Sequence, residues 1–343
     1  MNDTQSARTS TTHPLAGARM TGADIVVQVL ADEGVDTIFG YSGGAILPTY
    51  DAVFRYNDQH RRPDGSVAMP LIVPANEQGA GFMAAGYARA SGKVGVVMVT
   101  SGPGATNTVT PVRDCMADSV PIVVICGQVP THAIGTDAFQ EAPVAAIMGA
   151  VAKHVFLVTD ATRLEATMRT AFELARTGRP GPVVVDIPKD VQNQEGPFTG
   201  GGSLELTGYR NRLQAVTDNR LSDDACERLY AMLAEAERPL IYAGGGVINA
   251  EATKALRHFA NAWGIPVATT LMALGASDTT HPLSLHMLGM HGTAFANYAV
   301  EDCDFLLAVG ARFDDRWPAT RRVSRRAPGI SRISTSTFLK SAR

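Results

Sequence analysis

Cysteine is scarce in this sequence, which has only four among 343 residues: Cys115, Cys126, Cys226 and Cys303. They are too widely separated for the paired spacing of a zinc knuckle. They are also too few for the disulfide framework of a small secreted domain. We therefore expect reduced thiols in a cytoplasmic protein.

Excess charge and long apolar runs are also lacking. The net charge is only −3, so small molecules and protein partners are favoured as ligands over nucleic acid or an anionic membrane. No run reaches the roughly 20 apolar residues of a membrane span. Residues 1–19 have no apolar core of the kind found in signal peptides, and we expect a flexible leader that is short for an organelle transit peptide.

Apolar runs of strand length, rich in β-branched residues, alternate with helical patterns from Gly22 onwards. This alternation is typical of a parallel sheet wrapped by helices. We predict an α/β domain over residues 20–190, a polar linker over 191–220 and a second, Rossmann-like α/β unit over 221–316. The predicted strands are DTIFGY, LIVPAN, VGVVMV, VPIVVICGQV and GPVVVDIP in the first, and PLIYAGGGV, IPVATTL and DFLLAVG in the second.

The α/β pattern stops near Arg316. Residues 317–343 carry seven Arg or Lys and no Asp or Glu, so residues 1–316 have a net charge of −10 (−3 minus 7). A basic tail is compatible with an arm for nucleic acid or anionic lipid. We favour an aberrant segment, because it begins where the second unit still needs strands and has no apolar core to complete a sheet.

Glu77 follows the predicted strand LIVPAN and opens a helix of small residues, EQGAGFMAAGYARASG. An acidic residue in a first helical turn often does no more than interact with the helix dipole. The exit of a strand in an α/β sheet is, however, also where ligand crevices form. Glu77 is therefore a candidate functional residue.

Several long stretches carry a family resemblance. Residues 74–107, PANEQGAGFMAAGYARASGKVGVVMVTSGPGATN, resemble the segment around the activating glutamate of thiamine-diphosphate decarboxylases and carboligases. Four further stretches are similar to acetohydroxyacid (acetolactate) synthases in particular: GYSGGAILPTYDA, GQVPTHAIGTDAFQEAPV, GRPGPVVVDIPKDV and SLHMLGMHGTAFANYAVEDCDFLLAVGARFDDR. The resemblance covers about residues 20–316. It implies a pyrimidine-binding domain followed by an incomplete, FAD-contacting central domain.

The resemblance implies a catalytic role for Glu77. In this family the glutamate hydrogen-bonds N1′ of the aminopyrimidine ring and favours the imino tautomer, whose 4′ nitrogen takes a proton from the thiazolium ring. The implied reaction is decarboxylation of pyruvate and carboligation to a second 2-keto acid, in isoleucine and valine biosynthesis. Gln140 matches a glutamine at the reaction centre. Phe139, Lys153 and Lys189 match the substrate channel, although out of context Lys153 would be an ordinary surface lysine.

Cofactor-binding positions are carried over in the same way. The loop over thiamine diphosphate would be Tyr41, Ser42, Gly43 and Gly44. Ser42 stands where the family usually has proline, and Asn76 stands where it commonly has histidine. Contacts with FAD are implied at Ser119, Arg179, Gly244, Gly245, Gly246, Thr270, Leu271, Leu288, Gly289, Met290, His291, Gly310, Ala311, Arg312, Phe313 and Asp314.

Two of these segments can also be interpreted from the residues alone. Gly244, Gly245 and Gly246 lie between a strand and a helix, so their backbone N–H groups could approach a diphosphate, although such a triplet is commonly only a tight turn. His286 and His291 have no Cys or carboxylate beside them at ligand spacing, and we expect no metal site there.

The family's GDG motif, which helps to bind the diphosphate and Mg²⁺ in a third domain, does not occur in this sequence. Family dimers combine the glutamate of one subunit with the diphosphate site of the other. We therefore expect a C-terminally truncated chain that holds a half-site and is inactive alone. A reading frame lost near Arg316 would account for it. The expected partner is a second copy or a full-length subunit, with a possible small regulatory subunit.

Two other functions remain open from the sequence. One is a sister thiamine-diphosphate enzyme, such as glyoxylate carboligase or pyruvate oxidase. The other is a non-catalytic FAD-binding partner of a full-length enzyme.

Overall fold

The computed structural model describes residues 13–218 and 221–313. Most of the predicted leader, Asp314 and the predicted basic tail lie outside the described residues. The chain divides into two compact units between Leu206 and Thr207. Each unit contains a parallel sheet flanked by helices, which confirms the predicted fold class. All four cysteines are free thiols, and no helix among the described residues is long and apolar enough to cross a membrane.

The first unit is built on a six-stranded parallel sheet. The unit contains eight strands in all, of which β2 to β7 form this sheet: β1 (Arg19–Thr21), β2 (Ile38–Tyr41), β3 (Leu71–Ile72), β4 (Gly95–Val99), β5 (Ile122–Gln128), β6 (His154–Leu157), β7 (Val183–Pro188) and β8 (Glu195–Pro197). Its α-helices are α1 (Gly22–Asp32), α2 (Leu47–Gln59), α3 (Glu77–Ser91), α4 (Pro103–Thr106), α5 (Val109–Asp118), α6 (Val144–Gly149), α7 (Leu164–Arg176) and α8 (Lys189–Asn193). The sheet order is β3-β2-β4-β5-β7-β6, and β1 pairs separately with β8 in antiparallel fashion.

The sequence forms these elements for local reasons. Every residue of β4, β5 and β7 is buried, and apart from Gln128 and Asp186 these strands carry no polar side chains, as expected of a parallel sheet with helices on both faces. Helix α3 begins where the Asn76 side chain accepts a hydrogen bond from the Gly79 N–H, and it ends at Gly92 in the left-handed conformation. Its buried face consists of small residues, so it packs closely on the sheet.

The structure describes residues 191–218 of the predicted linker, whereas residues 219 and 220 lie outside the described residues. Phe198 is fully buried in the first unit, and the Glu165 carboxylate accepts hydrogen bonds from the N–H and the hydroxyl of Thr199. Residues 207–218 form a helix that belongs to the second unit. The stretch shows no periodicity because the part before residue 207 is held by individual side chains rather than by one face of a helix or strand.

The second unit has a four-stranded parallel sheet in the order β11-β10-β9-β12. Its strands are β9 (Pro239–Ala243), β10 (Val267–Thr269), β11 (Ser284–Met287) and β12 (Phe305–Val309). Its helices are α9 (Thr207–Asp218), α10 (Asp223–Glu235), α11 (Gly246–Asn249), α12 (Thr253–Trp263) and α13 (Ala294–Asp302). Apolar clusters cover both faces of this sheet.

Candidate functional site

The strand order of the first sheet reverses between β2 and β4. The chain passes from β2 outward to β3 and then returns to place β4 on the other side of β2. At such a point the loops after the two neighbouring strands separate, and a crevice opens at the carboxyl edge of the sheet. Residues 42–46 follow β2, and residues 100–102 follow β4.

Glu77 is the first residue of α3 and is only 9% exposed. The Asn107 side-chain amide donates a hydrogen bond to its Oε2 at 2.8 Å. Its Oε1 accepts no hydrogen bond from any residue that the structure describes. The carboxylate is therefore oriented by one oxygen, while the other can meet a ligand. Asn107 was missed as a site residue, although it ends the stretch that carries the family resemblance.

Thr100 connects Glu77 to the loop after β2. A Cβ added to Gly43 would lie 2.6 Å from Thr100 Cγ2, and one added to Gly104 would lie equally close, at 2.6 Å. The same Cβ on Gly104 would lie 3.7 Å from Glu77 Oε1. A side chain at either glycine would therefore collide with Thr100, so the predicted cofactor loop and the glycine beside the predicted catalytic carboxylate both pack against this buried threonine.

The electrostatic effect of Glu77 reaches Tyr50. The Tyr50 hydroxyl is buried and donates to the Met98 carbonyl at 3.0 Å. Burial raises the pKa of Tyr50, and the negative charge of Glu77 raises it further. Tyr50 thus stays a neutral hydrogen-bond donor beside the site.

Gln140 and Phe139 lie on a loop that approaches the same region through Gly102. A Cβ on Gly102 would lie 2.4 Å from the Gln140 carbonyl oxygen. Gln140 has φ 56, in the left-handed region that residues other than glycine rarely adopt. Phe139 is 87% exposed. Both predicted side chains are thus presented to solvent next to the residues that follow β4.

Lys153, Ser119 and Arg179 form a second group. The Arg179 guanidinium donates to the Ser119 hydroxyl at 2.8 Å and to the Ala117 carbonyl at 3.0 Å. Lys153 Nζ donates to the carbonyls of Thr177 and Arg179, both at 2.7 Å. Ala117 lies in the last turn of α5 and Thr177 directly follows α7, so these two carbonyls belong to helix ends that need partners outside the helix.

The substrate-channel role that the resemblance implied for Lys153 stays a prediction. Burial, with a smaller effect from Arg179, lowers the pKa of Lys153 to about 8. Its ammonium group is directed to backbone carbonyls near the end of α7. Lys189, the first residue of α8, is half-buried. No described hydrogen bond links either lysine to Glu77.

The second sheet has its own reversal of strand order, between β9 and β12. Gly244, Gly245 and Gly246 follow β9, and Gly310 follows β12. A Cβ on Gly244 would lie 2.2 Å from the Gly310 carbonyl oxygen. The glycines are needed because the two loops touch.

The contact between these loops bears on the idea that the backbone N–H groups of the glycine triplet approach a diphosphate. The Gly244 N–H donates to the Val309 carbonyl at 2.8 Å, and the Gly246 N–H donates to the Gly310 carbonyl at 3.0 Å. Those two groups are therefore not free to bind a diphosphate. A sequence alone does not reveal that β12 pairs with β9.

The remaining predicted FAD contacts follow β10, β11 and β12. Leu271 and Met290 are 60% and 78% exposed, whereas Leu288 is only 7% exposed. The hydroxyl oxygen of Thr270 is buried and has no hydrogen-bond partner among the described residues. Gly289 and His291 share the loop of Leu288 and Met290, and Ala311, Arg312 and Phe313 follow Gly310.

Asp186, on β7, was not predicted from the sequence as a functional residue. It is 1% exposed, and its Oδ2 accepts a hydrogen bond from the Gln128 amide at 3.0 Å. Burial raises the pKa of Asp186 from 3.8 to about 7, an effect that the Gln128 hydrogen bond partly offsets. The same Gln128 amide donates to the Ala142 carbonyl at 3.2 Å, so Asp186 is joined to the loop that carries Gln140.

We expect the free energy of unfolding to depend on pH through Asp186. Between about pH 4 and pH 7 the folded chain keeps a proton that the unfolded chain has lost, so this contribution to stability falls as the pH rises. Asp186→Asn should remove a decline of about 2–4 kcal/mol across that window. Urea unfolding of both proteins at several pH values measures the difference. Parallel curves for the two proteins would contradict the assignment.

Two family models match the chain. The "Thiamine pyrophosphate enzyme, N-terminal TPP binding domain" matches residues 20–148, and the "Thiamine pyrophosphate enzyme, central domain" matches residues 226–333. The first match contains Glu77 and Asn107. The second extends beyond Arg316, where the resemblance was expected to end.

The chain is also similar to curated acetolactate synthases. It is 47% identical over 301 residues to the acetolactate synthase large subunit of Corynebacterium glutamicum, a match covering 88% of this chain and 46% of that protein. It is 47% identical over 316 residues to the isozyme 2 large subunit of Escherichia coli, covering 92% and 53%. It is 45% identical over 295 residues to the chloroplastic acetolactate synthase of Arabidopsis thaliana, covering 86% and 42%. The chain thus spans about half the length of the curated relatives it matches.

Proposed function

Because the chain belongs to the thiamine pyrophosphate enzymes and is a homologue of acetolactate synthase catalytic subunits, we propose that it provides the glutamate half of an acetolactate synthase active site. The Glu77 carboxylate carries the proposal. It is nearly buried, and Asn107 holds one oxygen while the other has no described hydrogen-bond partner. A carboxylate held in this way can share a proton with a ring nitrogen of thiamine diphosphate.

When bound, thiamine diphosphate supplies a nucleophilic ring carbon for the keto group of pyruvate and an electron sink for the loss of carbon dioxide. The residues of this chain would bind and orient the cofactor and the 2-keto acid. Glu77 holds a proton at the ring nitrogen, and Asn107 keeps its carboxylate in position. Gly43 and Gly104 have no side chains, which lets the backbone of both residues pack directly against Thr100. Gln140 is the exposed polar group that would meet the 2-keto acid.

Subunit complementation tests the proposal. The chain is mixed with a full-length acetolactate synthase subunit whose own activating glutamate is changed to glutamine, and mass measurement verifies that a mixed complex forms. Acetolactate is then measured from pyruvate in the presence of thiamine diphosphate, FAD and Mg²⁺. We expect product only in the mixture. A stable mixed complex without product contradicts the proposal, and product from the chain alone would refute the half-site assignment.

FAD is proposed as a second ligand, at the carboxyl edge of the second sheet. The buried Thr270 hydroxyl, which follows β10, supports this because an unpaired buried hydroxyl destabilises a protein unless a ligand satisfies it. No magnesium ligand is assigned, since the described ranges contain no group of three or more His, Cys, Asp or Glu arranged for a metal.

Thr270→Val is expected to weaken flavin binding by about tenfold, because a hydrogen bond to the ligand is lost at nearly constant volume. The variant without flavin should be as stable as the unmodified chain or more stable. Ser284→Ala is the matched control: the Ser284 hydroxyl is also buried and has no hydrogen-bond partner in the part of the chain that the structure describes, but it lies at the start of β11. Flavin absorbance and fluorescence titrations measure the affinities. Equal affinities in both variants would contradict this site.

The proposed partners are 2-keto acids and a second subunit, either another copy or a full-length one, with a small regulatory subunit as an additional partner. The proposed compartment is the cytoplasm. A different thiamine-diphosphate carboligase is not favoured, because the relatives named above are acetolactate synthases. A flavin-binding chain that supports no acetolactate formation in the mixture would instead indicate a non-catalytic partner.

A further inference from the structure

Both backbone polar groups of Ala45 are held by side chains from distant parts of the chain. Its N–H donates to Thr100 Oγ1 at 3.3 Å, and its carbonyl accepts from the Gln192 amide at 2.8 Å. Ala45 directly follows Gly44, the last residue of the loop assigned to the cofactor. The end of that loop is therefore fixed by two hydrogen bonds that do not belong to any helix or strand.

Gln192 is fully buried, at 0% exposure. The second N–H of its amide donates to the Ile187 carbonyl at 2.9 Å, and its oxygen accepts from the Thr49 hydroxyl at 2.9 Å. A buried amide destabilises a fold unless its polar groups are paired, so Gln192 is restrained to this one arrangement. One side chain thus joins α8, the first turn of α2 and the residue that follows the cofactor loop.

The Ala45 carbonyl is also confined from a second side. A Cβ on Gly127, in β5, would lie 2.5 Å from this oxygen. The carbonyl is therefore held between the backbone of β5 and the Gln192 amide, and residue 45 has little freedom to rotate. Loss of the Gln192 hydrogen bond would leave a buried carbonyl unpaired, which favours a change in the loop.

We propose that Gln192 is a positioning residue. By fixing Ala45 it sets the conformation of the cofactor loop, residues 41–44, and thereby the placement of the pyrimidine end of thiamine diphosphate. The identity of the ligand rests on the proposed function, whereas the hydrogen bond between Gln192 and Ala45 does not depend on it. Gln192 has no exposed surface and acts through Ala45 rather than by touching the cofactor.

The test uses Gln192→Met, which keeps the length of the side chain but removes its N–H donors. Gln194→Met is the matched control, since Gln194 is exposed and two residues away. Hydrogen–deuterium exchange of the amides of residues 43–46 is measured on the full chain without cofactor. We expect exchange about tenfold faster in Gln192→Met, with unchanged exchange in β4 and β5. Faster exchange throughout the unit, or no change in the loop, overturns the inference.

The second readout is a titration of thiamine diphosphate into the complementation mixture, which contains this chain and the full-length subunit. Gln192→Met should weaken cofactor binding by about tenfold, whereas Gln194→Met should not change it. Unchanged affinity in a mixture that binds the cofactor overturns the inference while the proposed function stands. If the unmodified mixture does not bind the cofactor, the proposed function fails and loop exchange alone decides whether Gln192 fixes the loop.

A second variant covers the case in which Gln192→Met does not fold. Thr49→Val removes the hydroxyl that holds the Gln192 oxygen and leaves Ala45 untouched. We expect a smaller increase in exchange at residues 43–46, in the same direction. Normal exchange in a folded Thr49→Val would count against Gln192 as the restraint.

Discussion

Glu77→Gln is expected to reduce acetolactate formation in the complementation mixture by about 10²–10⁴-fold, the typical contribution of a positioned acid–base group. Glutamine keeps the size of the side chain and an oxygen for the Asn107 amide. It cannot share a proton with a ring nitrogen. The fold should be retained, because Glu77 has one described hydrogen-bond partner and lies in the first turn of α3.

The measurement separates chemistry from assembly. Acetolactate is measured under saturating cofactor, together with the exchange rate of the acidic ring proton of thiamine diphosphate, which should fall in parallel. Glu195→Gln is the control, an identical substitution at an exposed carboxylate whose ion pair among the described residues is with Arg19. Full activity in Glu77→Gln, with the mixed complex intact, would remove Glu77 from the catalytic role.

Phe198→Ala is expected to lower the free energy of unfolding by about 3–5 kcal/mol, the usual effect of removing a buried aromatic ring. Phe198 is fully buried. Its ring meets the edge of His13 at a centroid distance of 5.0 Å, and the Arg169 guanidinium lies 5.7 Å from its centre. The substitution would leave a cavity that these neighbours cannot fill without moving.

Phe139→Ala provides the comparison within the same unit. Phe139 is 87% exposed, so its loss should change the free energy of unfolding by less than about 0.5 kcal/mol. Urea unfolding monitored by circular dichroism measures both variants. If residues around 198 were an unpacked linker, the two substitutions would have the same small effect.

The sequence predicted those features that depend on local pattern. The strands β4, β5 and β7 are buried along their whole length and mostly apolar, as a parallel sheet covered on both faces requires. Glu77 was identified because it stands between a strand and a helix within a recognisable stretch. The buried residues of the predicted linker could not be distinguished from its exposed ones, since burial of Gln192 and Phe198 depends on the complete first unit.

The site residues that sequence reasoning missed act across long separations. Asn107 binds Glu77 from 30 residues away, and Gln192 binds Ala45 from 147 residues away. No periodicity records such a contact, because only the strand order of the sheet brings the partners together. For the same reason, the sequence left open whether the glycine triplet after β9 approaches a diphosphate or forms a tight turn, whereas in the structure two of its N–H groups donate to the carbonyls of Val309 and Gly310.

The close fit around Thr100 has a consequence for mutational libraries. The side chains at positions 43, 100 and 104 compete for the same space, because an added Cβ on either glycine would lie 2.6 Å from the methyl group of Thr100. Scanning one position at a time should score each of the three as intolerant of larger residues. Libraries that vary them jointly should recover functional combinations, such as Gly104→Ala with Thr100→Ser, because loss of the methyl group leaves Thr100 Cβ at 3.4 Å from the added Cβ and neighbouring sites in contact are not additive.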